Sequence, residues 1–194
     1  MTVENFILPD LLKNMRIFNG EVDNFKVLQH SARSNRENIR TFLTHHSIVY
    51  VVSGTLHLMN NDSELSVQEG EMCLIAPGAY FSSELIGNQN YSMLALFFNQ
   101  WTAQYILKLP GITDILNEQH KLAFCQEVHI IPKEKIFRNF FDSIHLYRKL
   151  EKEVKNEMIP IKFAELIYIL LEGPHKQTIL SFLSEAAMHN KKKP

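Results

Sequence analysis

Glycine and proline are sparse in this chain, seven of each in 194 residues, which excludes collagen-like and low-complexity architectures. Only two cysteines occur, Cys73 and Cys125, and no CxxC is present. A disulfide scaffold is therefore excluded, and two buried thiols in a reducing compartment are the expected state. Charge of either sign is not in excess: 20 Lys and Arg stand against 21 Asp and Glu, a net charge of −1. Such a balance lacks the basic face of a nucleic-acid-binding domain. The run Lys191-Lys192-Lys193 reads as a solvated tail or the start of a linker. Long apolar runs are missing as well. The longest in the C-terminal half, Leu166 to Leu171, is far too short to span a bilayer. Met1-Thr2-Val3-Glu4-Asn5 lacks the basic region and cleavage site of a secretory signal. No membrane partner is expected, and a cytoplasmic location follows.

The motifs of common enzymes are also missing. There is no G-x-S-x-G elbow, no phosphate-binding G-x-x-x-x-G-K-[ST] loop and no G-x-G-x-x-G. Cys73 has no basic partner nearby in sequence to activate it. Of the carboxylates Glu64, Glu69, Glu71 and Glu84, two flank the turn glycine Gly70, where solvation is the expected fate. Nine histidines are present, but a metal needs ligands that converge. His45 and His46 are adjacent, and adjacent strand residues point to opposite faces. His57 is alone on the next strand, and His120, His129, His145, His175 and His189 are scattered. No metal and no other cofactor is expected.

What is present is a change of rhythm near residue 100. Before it, short segments rich in β-branched and aromatic residues read as strands: Phe25 to Gln29, Ile39 to Thr44, Ile48 to Val52, Thr55 to Met59, Glu64 to Val67, Met72 to Ala76, Tyr80 to Leu85 and Tyr91 to Phe98. Turn signals separate them, among them Ser53-Gly54, Asn60-Asn61-Asp62, Glu69-Gly70 and Pro77-Gly78. After residue 100 the period becomes helical. Trp101 to Leu109 is a short helix stopped by Pro110-Gly111. Leu122 to Ile131 reads as strand or extended connection. The clearest helix spans Lys133 to Lys155, with Ile136, Phe137, Phe140, Phe141, Ile144 and Tyr147 on its apolar stripe. A second helix begins with Pro160 in its first turn and runs to Gly173-Pro174. It is apolar on most sides, as a buried helix is. A third covers Gln177 to Met188. The first fifteen residues read as a docked arm or a short helix.

A small antiparallel barrel of this kind encloses a space lined by alternate residues of its strands. That space holds one small ligand or is filled by its own side chains.

The order Ser47-Ile48-Val49-Tyr50-Val51-Val52-Ser53-Gly54-Thr55-Leu56, then Leu65 to Gly70, Glu71, Met72 to Ala76 and Pro77-Gly78, resembles the cupin signature. More specifically it resembles the N-terminal cupin-like domain of AraC-family bacterial transcription regulators. The apolar stretch from Phe163 to Leu171 is similar to the family helix that precedes the linker to the DNA-binding domain. The likeness covers about residues 20 to 190. It implies a mainly β plus α fold, a cupin-like antiparallel β-barrel (jelly roll) followed by a C-terminal helical dimerisation segment. Residues 1–20 would be an N-terminal arm, 21–100 the barrel, 101–188 the helical segment that packs on it and forms the dimer, and 189–194 the start of the linker.

The metal positions of cupin enzymes fall in this chain on Thr41 and Leu43, or Arg40 and Phe42, on Ser47, and on Phe81. None is a ligand of the expected kind, which weakens an enzyme reading. By the same analogy Thr41, Leu43, Ser47, Val49 and Phe81 face the cavity and bind an effector of low charge. Phe137, Phe140, Phe141, Ile144 and Tyr147 carry the homodimer contact; the alternative is that they pack on their own barrel. DNA is expected to be bound only through a helix-turn-helix domain that is not in this chain. Two other readings stay open: a stand-alone cupin isomerase or dioxygenase, which needs a metal or a carboxylate–histidine pair in the barrel, and an interaction module with a filled barrel.

Overall fold

The protein was analysed as a computed structural model that describes residues 5–8, 18–22, 25–60, 63–88, 90–118, 128–146 and 152–188. Eleven strands and five helices follow one another among them: β1 (Asn5–Leu8), β2 (Phe18–Val22), β3 (Phe25–Ala32), β4 (Arg36–Leu43), β5 (His46–Ser53), β6 (Thr55–Met59), β7 (Glu64–Gln68), β8 (Met72–Ile75), β9 (Gly78–Leu85), β10 (Tyr91–Phe98), α1 (Gln100–Leu107), α2 (Ile112–Glu118), β11 (Val128–Ile131), α3 (Lys135–Leu146), α4 (Lys152–Glu172) and α5 (Lys176–Met188).

The strands form two sheets. One has the order β1-β4-β9-β6-β7 and the other β11-β8-β5-β10-β3-β2. Only the β1–β4 pairing is parallel; the rest are antiparallel. The sheets face each other across an apolar layer that includes Leu43, Leu56, Leu58 and Tyr80 from the first and Leu28, Val49, Ile75, Ala95 and Phe97 from the second. The six-stranded sheet is covered on its other side by helices. There Ile48, Tyr50, Leu74, Leu94, Leu96 and Phe98 pack against Phe140, Phe141, Phe163, Leu166 and Phe182. A sheet buried on both faces loses the apolar–polar alternation, which explains why His46 to Val51 and Met93 to Phe98 are buried without a break. The five-stranded sheet has a wet face and keeps its alternation, as in β9, where Tyr80, Ser82 and Glu84 are buried and Ala79 and Phe81 exposed.

Gly54 carries the chain from β5 in one sheet to β6 in the other with φ +83°. A Cβ there would lie 2.4 Å from the Leu85 carbonyl oxygen, so the corner requires glycine both for its backbone and for its space.

The eight strands expected between residues 25 and 98 are all present, and Thr55–Met59 and Tyr91–Phe98 keep their ends. At the N-terminus Asn5–Leu8 form β1, docked in parallel on β4, and Phe18–Val22 form β2; residues 1–4 and 9–17 lie outside the described residues. Elsewhere three features differ from expectation: helix α2, the extent of α3 and the place of Pro160. Helix α2 was not expected, because it follows Pro110-Gly111 directly; Gly111 turns with φ +77° and its carbonyl accepts from Ile115. The stretch Leu122 to Ile131, expected as strand or extended connection, ends in strand β11, and residues 119–127, Cys125 among them, lie outside the described residues. The helix expected over Lys133 to Lys155 is α3 up to Leu146, and Lys152 already belongs to α4; Tyr147 lies outside the described residues. Pro160 sits inside α4, not in its first turn. A proline there forfeits one backbone bond; burial of the neighbouring Ile159 and Phe163 in the core compensates.

Candidate functional site

The space between the sheets is not full. A cavity of about 70 Å³, measured to the centres of water-sized groups, lies there, room for roughly five such groups. Leu28, Leu43, Val49, Leu56, Leu58, Ile75, Met93, Ala95 and Phe97 make most of its wall, and Thr41, Ser47, Ser82, Glu84, His30 and Arg36 supply its polar groups.

The inward set follows from strand parity and register. On β5 the residues Ser47, Val49 and Val51 point between the sheets, while Ile48 and Tyr50 point to the helices. On β4 the pattern is interrupted. Arg36 pairs with Glu84 but Ile39 with Ser82, so three steps on β4 oppose two on β9. The extra residue is absorbed by Asn38, at φ +56°, whose N–H donates to Ser83 Oγ at 3.3 Å. Such a bulge resets which side chains face inward. Without it Glu37 would share the face of Ile39 and Thr41; with it Arg36 does.

That reset completes a charged cluster at one end of the cavity. Glu84 is 7% exposed. Its Oε2 lies 2.9 Å from His30 Nε2 and 3.4 Å from Arg36 Nη1, which donates to it. Both partners hold the same oxygen; Oε1 has no partner among the described residues. On the cavity wall Thr41 Oγ1 and Ser82 Oγ are 3.2 Å apart, and Ser82 also donates to the Ile39 carbonyl. Ser47 is fully buried, and its hydroxyl has no hydrogen-bond partner among the described residues. A buried polar atom without a partner costs free energy, so an orphan hydroxyl in a cavity wall suits a bound molecule. The nearby Tyr91 is also buried with an unpartnered hydroxyl, but it does not line the cavity. Burial first, then the nearby Glu84 carboxylate, push its pKa well up, so it stays a neutral phenol. Cys73 is fully buried, and burial raises its pKa. Its thiol is not a nucleophile poised for chemistry.

The expected site residues distribute as follows. Thr41, Leu43, Ser47 and Val49 line the cavity. Phe81 does not: it is 43% exposed on the outer face, because its partners across the sheet are Arg40 and Met59, while Tyr80 sits opposite Thr41. A shift of one residue inverts a strand's faces, and Tyr80 and Ser82 hold the inward places expected for Phe81. Phe137, Phe140, Phe141 and Ile144 are buried inside the chain's own core. Tyr50 stacks on Phe141 with centroids 4.3 Å apart and planes 7° from parallel. This face of α3 is therefore spent on the barrel, the alternative left open by the sequence. The His30–Glu84–Arg36 cluster was missed, since its members lie on three different strands. The αL-tolerant Asn38 beside Arg36 was the one local signal of it. Among the described residues no group of three or more His, Cys, Asp or Glu is placed to hold a metal, and no helix is long and apolar enough to cross a membrane.

Known proteins give the same picture of the fold. The ToxT protein of Vibrio cholerae, solved at 1.65 Å, superposes with a TM-score of 0.58 at 9% identity, covering 88% of this chain and 61% of that one. Its apo K231A form gives 0.55 at 10% identity, with 77% and 56% covered. Wild-type ToxT with an unsaturated fatty acid bound gives 0.52 at 11% identity, with 81% and 60% covered. The chain thus spans about 60% of the length of these structures. No curated protein matches it in sequence. Residues 46–182, more than half of the chain, match the family model described as the ExsA N-terminal regulatory domain. The chain therefore belongs to the ExsA N-terminal regulatory domain family, and its cupin-like sheets and helices are those of an AraC-type N-terminal regulatory domain.

Proposed function

We propose that this chain senses a small molecule between its two sheets and passes the result to a DNA-binding domain. The observation that carries the reading is the cavity itself: mostly apolar walls, a few polar groups, and one buried hydroxyl, Ser47, left without a partner. That is the usual make-up of a small-molecule site. ToxT, a protein of the same fold, has been solved with an unsaturated fatty acid bound, which supports the use of this fold for an amphipathic ligand. Thr41, Leu43, Ser47 and Val49 are the ligand contacts in this reading, joined by Ser82, Glu84 and His30. Homodimerisation and a cytoplasmic location belong to the same proposal. Since Phe137, Phe140, Phe141 and Ile144 are internal, a second copy would meet exposed residues of α3 and α4 such as Ile136, Leu146 and Ile161.

One observation favours a second reading. His30 and Glu84 form a carboxylate–histidine pair on the cavity wall, and such a pair is what a metal-free cupin isomerase would use as an acid–base couple. Thermal unfolding against small metabolites and a panel of divalent metals separates the readings, with any stabilising compound recovered and weighed. Binding raises the midpoint by mass action, about 2.7 kcal/mol at a hundred times the dissociation constant. A stabilising compound recovered unchanged supports the sensor. Conversion of that compound, or a shift with metals alone, supports the enzyme.

A further inference from the structure

The two polar ends of the cavity define what it can accept. His30 pairs across the sheet with Met93, and Ser47 pairs with Phe97. Met93 and Phe97 are four residues apart on β10, roughly 13 Å at about 3.3 Å per residue. Between them lies the apolar Val49–Ala95 pair, and Leu58 and Ile75 add to the apolar wall. One pole offers Glu84 Oε1, an acceptor without a partner among the described residues. The other offers the orphan hydroxyl of Ser47.

The charge at the first pole is already balanced. Arg36 compensates the Glu84 carboxylate, and both it and His30 occupy Oε2. A carboxylate ligand entering here would meet the unshielded Oε1, and like charges at contact repel. An ammonium would bring a second cation into a largely apolar space, where an ion costs more to desolvate than one shared contact returns. A hydroxyl or another neutral N–H or O–H group donates to Oε1 with neither penalty, as a charge-assisted bond.

We infer that the cavity takes a neutral, elongated apolar molecule with a hydrogen-bond donor at one end, seated on Glu84, and a second polar group at the other, seated on Ser47. This rests on the effector-binding reading above. It sets the chain apart from ToxT, which has been solved with an unsaturated fatty acid bound.

The test is thermal unfolding of the whole chain with four probes of one chain length: octanediol, octanol, octylamine and octanoate. Octanediol raises the midpoint most, by roughly 3–5 °C at ten times its dissociation constant. Octanol follows, and octylamine and octanoate shift it little. Ser47→Ala removes the advantage of octanediol over octanol. Glu84→Gln narrows the gap between octanol and octanoate. A shift with octanoate or octylamine equal to that with octanediol overturns this inference and leaves the cavity standing as a ligand site. No shift with any of the four overturns the effector reading as well.

Discussion

The two faces of the six-stranded sheet are made by the same strands and do opposite things. Toward the helices β5 and β10 present Ile48, Tyr50, Leu94, Leu96 and Phe98. Toward the other sheet they present Ser47, Val49, Met93, Ala95 and Phe97. The first set meets aromatic rings: the centroids of Tyr50 and Phe141 are 4.3 Å apart and those of Phe98 and Phe163 4.9 Å, and Phe25 of β3 adds a further ring 4.8 Å from Phe163. The second set alternates large residues with serine and alanine, and space is left over. One residue of offset along a strand thus separates a packed core from a cavity. Stability is concentrated on the helix side, and the opportunity to bind is concentrated between the sheets.

The sharpest way to break this contrast is to remove a ring on the packed side. Phe163→Ala is expected to cost about 3–5 kcal/mol, because Phe163 is 1% exposed and touches both Phe25 and Phe98. Urea unfolding checks it, and Phe141→Asp should leave no folded protein. Filling the hollow side gives the complementary result. Ala95→Leu is expected to cost no more than about 1–3 kcal/mol, since its added carbons enter the cavity, while stabilisation by any cavity ligand is lost. Calorimetry with and without ligand reads both effects. Ser47→Ala is smaller still. Replacing an unpartnered buried hydroxyl is expected to leave stability unchanged or raise it by about 1 kcal/mol, while weakening the bound ligand's hold.

A fourth, smaller effect lies on the helix side. His129 on β11 and His175, which precedes α5, approach with ring nitrogens 3.5 Å apart. Burial, then the neighbouring His175, lower the His129 pKa. A histidine whose folded pKa is depressed binds more protons when unfolded. Its contribution is complete above the ordinary value of about 6.5 and is lost as pH falls below it. The unfolding midpoint of the native chain should therefore fall more steeply from pH 7 to 5 than that of His129→Gln. Equal slopes would remove this pair from the account.

Much of the fold was legible in the sequence because strand rhythm and turn residues are local signals. Ser53-Gly54 marks a corner that only glycine can make, β6 is bounded by turn residues on both sides, and β10 ends at the Asn99 cap of α1. The inward positions of β4 and β5 followed from alternation once one residue was placed by analogy. Phe81 failed because its facing depends on the β4–β9 register, which is set across strands and is invisible along either one. The bulge at Asn38 is the same kind of feature. It decides that Arg36 faces Glu84, and three strands must be in place before His30, Arg36 and Glu84 come together. The aromatic stripe of α3 was legible as apolar, but periodicity does not say whether the partner is a second chain or the sheet beneath. The cavity was legible only as a possibility, since emptiness is a property of packed volumes.

The most direct test of the central claim is methyl-resolved NMR of the chain titrated with octanediol. The account predicts shift changes at Leu43, Val49, Leu56, Leu58 and Ile75, and none at Ile48, Leu94 and Leu96, which sit on the other face of the same sheet. Perturbation of the second set, or of neither, would contradict it.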